Sequence, residues 1–147
     1  MTDLSERDDP YDLRRFVEAQ DPVYARVLAE LRDGRKTSHW MWFIFPQIAG
    51  LGHSAMARRY AISSRSEASA YLEHPVLGPR LRECTNLVNA IEGRSAHEVF
   101  GSPDDVKFRS CMTLFAEVAV DNDAFDAALR HFFGGERDPA TFGRLRR

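Results

Sequence analysis

Between Lys36 and Gln47 the chain reads KTSHWMWFIFPQ, and this stretch holds most of the groups that could do chemistry. An indole of Trp40 or Trp42 offers a flat face on which a base or sugar can stack, and the Lys36 ammonium can meet a phosphate. The Gln47 amide can fix the orientation of such a ligand, and the His39 imidazole can move a proton. Just downstream, Gly50-Leu51-Gly52-His53-Ser54 is a glycine-rich turn leading into a helix start. Its backbone N–H groups and the Ser54 hydroxyl can hold an anion, although a tight turn with a serine N-cap uses the same residues. A third group, Asp104, Asp105, Lys107 and Ser110, lies far along the chain. Either aspartate could stabilise an oxocarbenium-like centre or activate water, and Lys107 and Ser110 lie within about a turn of each other on a helix, so they could line one side of a pocket.

The aromatic stretch can be read in two ways. As a helix it puts Lys36, His39 and Phe43 on one face; as a strand it sends Trp40, Trp42 and Ile44 one way and His39, Met41 and Phe43 the other. Both faces are largely apolar in either case, so most of the segment must be buried. Each indole is then either a core ring whose N–H finds an acceptor or a wall of a ligand site. His39 has the parallel choice between a hydrogen-bonded core imidazole and a catalytic one. No second histidine stands at metal-ligand spacing, so no metal is expected, and no cofactor is implied. Ser63, Ser64, Ser110 and Cys111 have no evident histidine and carboxylate partners for a nucleophile triad.

The elements that must position these groups are helices. Leu13, Phe16 and Val17 form a short amphipathic helix ending near Gln20, and Asp21-Pro22 opens another in which Tyr24, Val27, Leu28 and Leu31 repeat at helical spacing up to Gly34. Further helices are expected from Ser54, from Ser66 as a cap, from Pro75 and from the capping box Ser95-Ala-His-Glu98. Ser102-Pro103-Asp104-Asp105 starts a helix apolar around most of its circumference, which places it in the middle of the domain, and its Arg109 can be solvated or paired with those aspartates. Helices around Phe125 to Phe132 and from Asp138-Pro139 complete an all-α, single compact multi-helix domain with room for one short strand pair. The domain is expected over residues 12–145, behind a flexible N-terminal tail over 1–11, with Arg144 to Arg147 as a frayed end.

The chain has 147 residues, 44% hydrophobic and 29% charged, with a formal net charge of -2. One hydrophobic core fits that length. The charge argues against a broad nucleic-acid surface but allows a small anionic ligand. Cys84 and Cys111 sit among apolar neighbours and read as buried free thiols of a reducing cytoplasm. The run from Trp40 to Phe45 is far shorter than the ~20 residues that span a bilayer, so a cytoplasmic protein with no membrane partner is expected.

GRKTSHWMWFIFPQIAGLGHSAMARRYAISS, preceded by RFVEAQDPVYARVLAELRDG and followed by SEASAYLEHPVLGPRLRECTNLV, VFGSPDDVKFRSCMTLF and DPATFGRL, resembles a bacterial family of unknown function, DUF1810, which some genomes label calpastatin-like. The likeness runs from Asp12 to Leu145 and implies a small, helical, stand-alone cytoplasmic domain without assigning a reaction. Cys111 stands where the family is expected to prefer serine. A fainter resemblance is to helical N-glycosidases that act on ADP-ribose-type or riboflavin-precursor substrates, through a histidine-aromatic helix and a later lysine-bearing helix. Together these point to an enzyme or binder for a phosphorylated nucleoside or ribose, ADP-ribose-like, with N-glycosidic hydrolysis as the candidate reaction. The competing reading is a non-catalytic module that docks a protein partner through an exposed apolar patch.

Overall fold

The computed structural model describes residues 9–145, so most of the expected N-terminal tail and Arg146 and Arg147 lie outside the described residues. Among the described residues ten helices follow one another: α1 (Arg14–Gln20), α2 (Tyr24–Arg32), α3 (Met41–Ile44), α4 (Ala55–Arg59), α5 (Arg65–Glu73), α6 (Leu77–Asn89), α7 (Ala96–Phe100), α8 (Asp104–Val118), α9 (Asp123–Phe133) and α10 (Pro139–Leu145). The fold is all-α. Its nearest approach to a strand pair is a single parallel bridge between Ile48 and Ile62.

The local signals act largely where they stand. Ser54 accepts from Ala57 N–H, and Ser95 and Glu98 form the reciprocal capping box. Asp138 caps α10, its carboxylate accepting from the Thr141 N–H and hydroxyl. Asp9 already belongs to the start of α1, because its carboxylate accepts from Leu13 and Arg14 N–H. Two expected starts shift. Ser64, not Ser66, caps α5, and Asp21-Pro22 forms a turn before α2 opens at Tyr24.

The long apolar helix α8 is the axis of the core. Every residue from Ser110 to Ala116 is buried, and α5, α7, α9 and α10 all pack on it. Two groups of rings fill the space around it. Phe45, Phe100 and Phe108 form one, with the Phe100–Phe108 pair stacked at 4.6 Å. Phe16, Tyr60, Phe43, Tyr71 and Phe115 form the other, by tilted or edge contacts 5.1–5.7 Å apart. Both cysteines are buried and free. No helix among the described residues is long and apolar enough to cross a membrane.

Candidate functional site

The aromatic stretch is neither a full helix nor a strand. Met41 to Ile44 make one helical turn, after which Phe45 and Pro46 run on buried to Gln47, whose carbonyl accepts from Ile62 N–H at 2.8 Å, while Ala49 N–H donates to Ile62 at 2.8 Å. The buried Gln20 amide fixes the turn from behind by donating to the Phe43 carbonyl at 2.8 Å.

This mixed conformation gives the two tryptophans different fates. Trp40 is 1% exposed and its indole N–H donates to Glu30 at 3.0 Å. The same carboxylate accepts from Thr37 N–H at 2.7 Å, Ser38 N–H at 3.0 Å and the Ser38 hydroxyl. Burial by itself would raise the pKa of Glu30, but the donors of Ser38, Thr37 and Trp40 outweigh it and hold the pKa down at about 2. Trp42 is only half-buried and lines a cavity of about 240 Å³.

That cavity lies between the aromatic turn, the loop after it and the end of α4. Trp42, Gln47, Gly50 and Gly52 line it from one stretch of chain, Arg58 and Tyr60 from another, and Lys107 reaches it from α8. Its lining includes no carboxylate. The Lys107 ammonium stands 5.6 Å from the Trp42 ring centroid. Glycine is needed at two places on the rim. Gly50 has a φ of 98°, and a methyl group there would meet the Arg144 guanidinium at 2.5 Å, while one at Gly52 would strike the Ala57 side chain at 2.6 Å.

Beside the cavity, Asp104 is shared by two lysines. Lys36, with 7% of its side chain exposed, pairs with it at 2.7 Å, and Lys107 approaches its other oxygen at 3.8 Å. Lys36 also stands 5.2 Å from the Trp40 ring, so each lysine lies over one indole with the carboxylate between them. Asp104 is therefore a counter-ion outside the cavity lining. Asp105 faces His97 at 3.4 Å, and His39 is exposed.

Five of the expected ligand-binding residues thus meet in one place: Trp42, Gln47, Gly50, Gly52 and Lys107. Lys36 and Asp104 stand behind Lys107. Trp40 belongs to the core, and the exposed Ser54 hydroxyl is occupied in capping α4. Ser110 does not share a pocket wall with Lys107, because its hydroxyl donates to Asp138 at 2.9 Å on another side of α8. Arg109 pairs with Glu136 at 3.5 Å rather than with the aspartates upstream. Among the described residues, the large apolar side chains facing solvent are Met56, Val106 and Val120, each from a different segment.

Three residues that hold the site escaped the sequence reading. Arg15 donates to the carbonyls of Arg59 and Ala61 at 2.8 and 2.9 Å and pairs with the buried Glu67 at 3.0 Å, which ties down the chain leaving α4. Glu30 does the same for the aromatic turn. A buried indole N–H requires an acceptor, and that requirement is the one signal that could have led from Trp40 to Glu30.

A family model described as "Protein of unknown function (DUF1810)" matches residues 10–145. The crystal structure of the conserved hypothetical protein Rv1873 from Mycobacterium tuberculosis is similar to this chain at 57% identity, over 95% of this chain and 99% of that one, with a TM-score of 0.93. No curated protein matches it.

Proposed function

This chain belongs to the DUF1810 family of proteins of unknown function, and we propose that it binds a small anionic ligand of the phosphorylated ribose or nucleoside class in the cavity beside Trp42. The single observation that carries the reading is the imbalance of the lining, where Arg58 and Lys107 stand with a half-buried indole and no carboxylate. A phosphate would give both cations charge-assisted partners, and the ring or sugar attached to it would lie on Trp42. Gln47 would hydrogen-bond the sugar or base edge.

Binding, rather than N-glycosidic hydrolysis, is the function this geometry favours. Hydrolysis of that bond calls for a carboxylate or activated water at the anomeric carbon, and Asp104 is already engaged by Lys36 at 2.7 Å.

Titration of the purified full chain with ribose 5-phosphate, AMP and ADP-ribose, followed by indole fluorescence and calorimetry, tests the proposal. Binding should change the emission, the change should vanish in Trp42→Phe, and Lys107→Ala should weaken affinity by about tenfold. Absence of binding by all three compounds up to about 1 mM, equivalent to roughly -4 kcal/mol, would refute it.

A further inference from the structure

We infer that Arg144 of α10 is a third cation of this site, and that the site recognises a phosphomonoester carried on a single sugar or nucleoside unit; the inference rests on the binding reading above. Arg144 is exposed, yet its guanidinium is not free in solvent. It lies against the Gly50 peptide, donating from Nη2 to the Gly50 carbonyl at 3.3 Å, and a methyl group at Gly50 would displace it. Gly50 itself lines the cavity. The one hydrogen bond is long and uses one of the five guanidinium N–H donors, which leaves the planar fork available to a bidentate partner at the rim.

With Arg58 and Lys107, the rim then gathers three positive groups. Among the described residues, the acidic group paired with any of them is Asp104, whose shorter contact is to Lys36. A surplus of this size suits a dianion such as a phosphomonoester better than a monocarboxylate. The volume sets the other half of the specificity. At about 240 Å³ the cavity is below the roughly 300–1,000 Å³ of sites for drug-sized ligands, so it has room for one sugar or nucleoside unit and not for a second.

The test compares wild type, Arg144→Ala and Arg144→Glu in the same fluorescence and calorimetric titrations, with thermal unfolding run alongside. Arg144→Ala should lose about tenfold in affinity for ribose 5-phosphate or AMP and Arg144→Glu more, at unchanged melting temperature, with ADP-ribose bound more weakly than AMP. Equal affinity of wild type and both variants for AMP would overturn the role of Arg144 while leaving the binding reading intact. Tighter binding of ADP-ribose than AMP would overturn the single-unit limit. Failure of wild type to bind any of the three would remove the binding reading itself, and with it this inference. If Arg144→Ala unfolds, Arg144→Gln keeps a donor for Gly50 without the charge, and its affinity decides between the same outcomes.

Discussion

Replacing Glu30 by glutamine should cost stability in a way that depends on pH. Glu30 is 8% exposed and accepts four hydrogen bonds, from Thr37 N–H, Ser38 N–H, the Ser38 hydroxyl and the Trp40 indole. These donors outweigh the cost of burial and bring its pKa from an ordinary 4.5 to about 2 in the folded chain. Each pH unit of that difference corresponds to 1.36 kcal/mol, so the ionised form stabilises the fold by on the order of 3 kcal/mol, and the amide, which keeps the shape without the charge, should recover a minor part of it. A folded-state pKa below the unfolded one means the contribution is complete above about pH 4.5 and disappears as pH falls toward 2. Urea unfolding of wild type and Glu30→Gln, monitored by far-UV circular dichroism, should therefore differ by about 2–3 kcal/mol at pH 7 and converge as the pH is lowered through that window. A difference below about 0.5 kcal/mol at pH 7, or one that stays constant from pH 6 down to pH 3, would refute the assignment of Glu30 as the ionised anchor of the aromatic turn.

Two further outcomes follow from the packing. Gly78→Ala places a methyl group on the Leu72 carbonyl where α6 crosses the end of α5, and should lower stability by more than about 2 kcal/mol in denaturant unfolding, whereas Gly93→Ala meets no neighbour and should cost only the strain of its left-handed backbone. The thiols should resist Ellman's reagent in the native protein at pH 8 and react fully in denaturant, because burial lifts the Cys84 pKa to about 12 and pushes Cys111 well above the usual thiol range.

Helices were legible wherever a local rule decided them. The capping box at Ser95 and the helix after Pro103 need only residues within one turn, and both stand where the pattern puts them. The helix after Ser64 did not, because Ser64 and Ser66 are equally good caps by type and Glu67, which bonds Ser63, Ser64 and Arg15 together, settles the choice through contacts up to 52 residues away. The aromatic turn was ambiguous for a related reason. Helix and strand both bury it, and the conformation is selected by Glu30, Gln20 and Ile62, none of which is visible in its own periodicity. The site was legible to the extent that its residues lie on one piece of chain, from Trp42 to Gly52. Arg58 enters the cavity lining through tertiary placement alone, and Ser110 was misdirected because helical spacing gives neighbourhood on a surface without saying which neighbour a hydroxyl chooses.

The two tryptophans also explain why a stretch this apolar need not be spent wholly on the core. Each has a lysine about 5–6 Å from its ring, and the lysines share one carboxylate unequally, at 2.7 Å for Lys36 and 3.8 Å for Lys107. Coulomb attraction falls with distance and with the dielectric of the path, so the nearly enclosed Lys36 is the more strongly paired, while Lys107, with 24% of its side chain exposed, is held more loosely. The asymmetry matches that of the indoles. Trp40 and Lys36 are sealed by Glu30 and Asp104 into a structural block, whereas Trp42 and Lys107 open on the cavity. A single carboxylate placed between the two pairs thus separates the half of the motif that holds the fold from the half that lines the cavity.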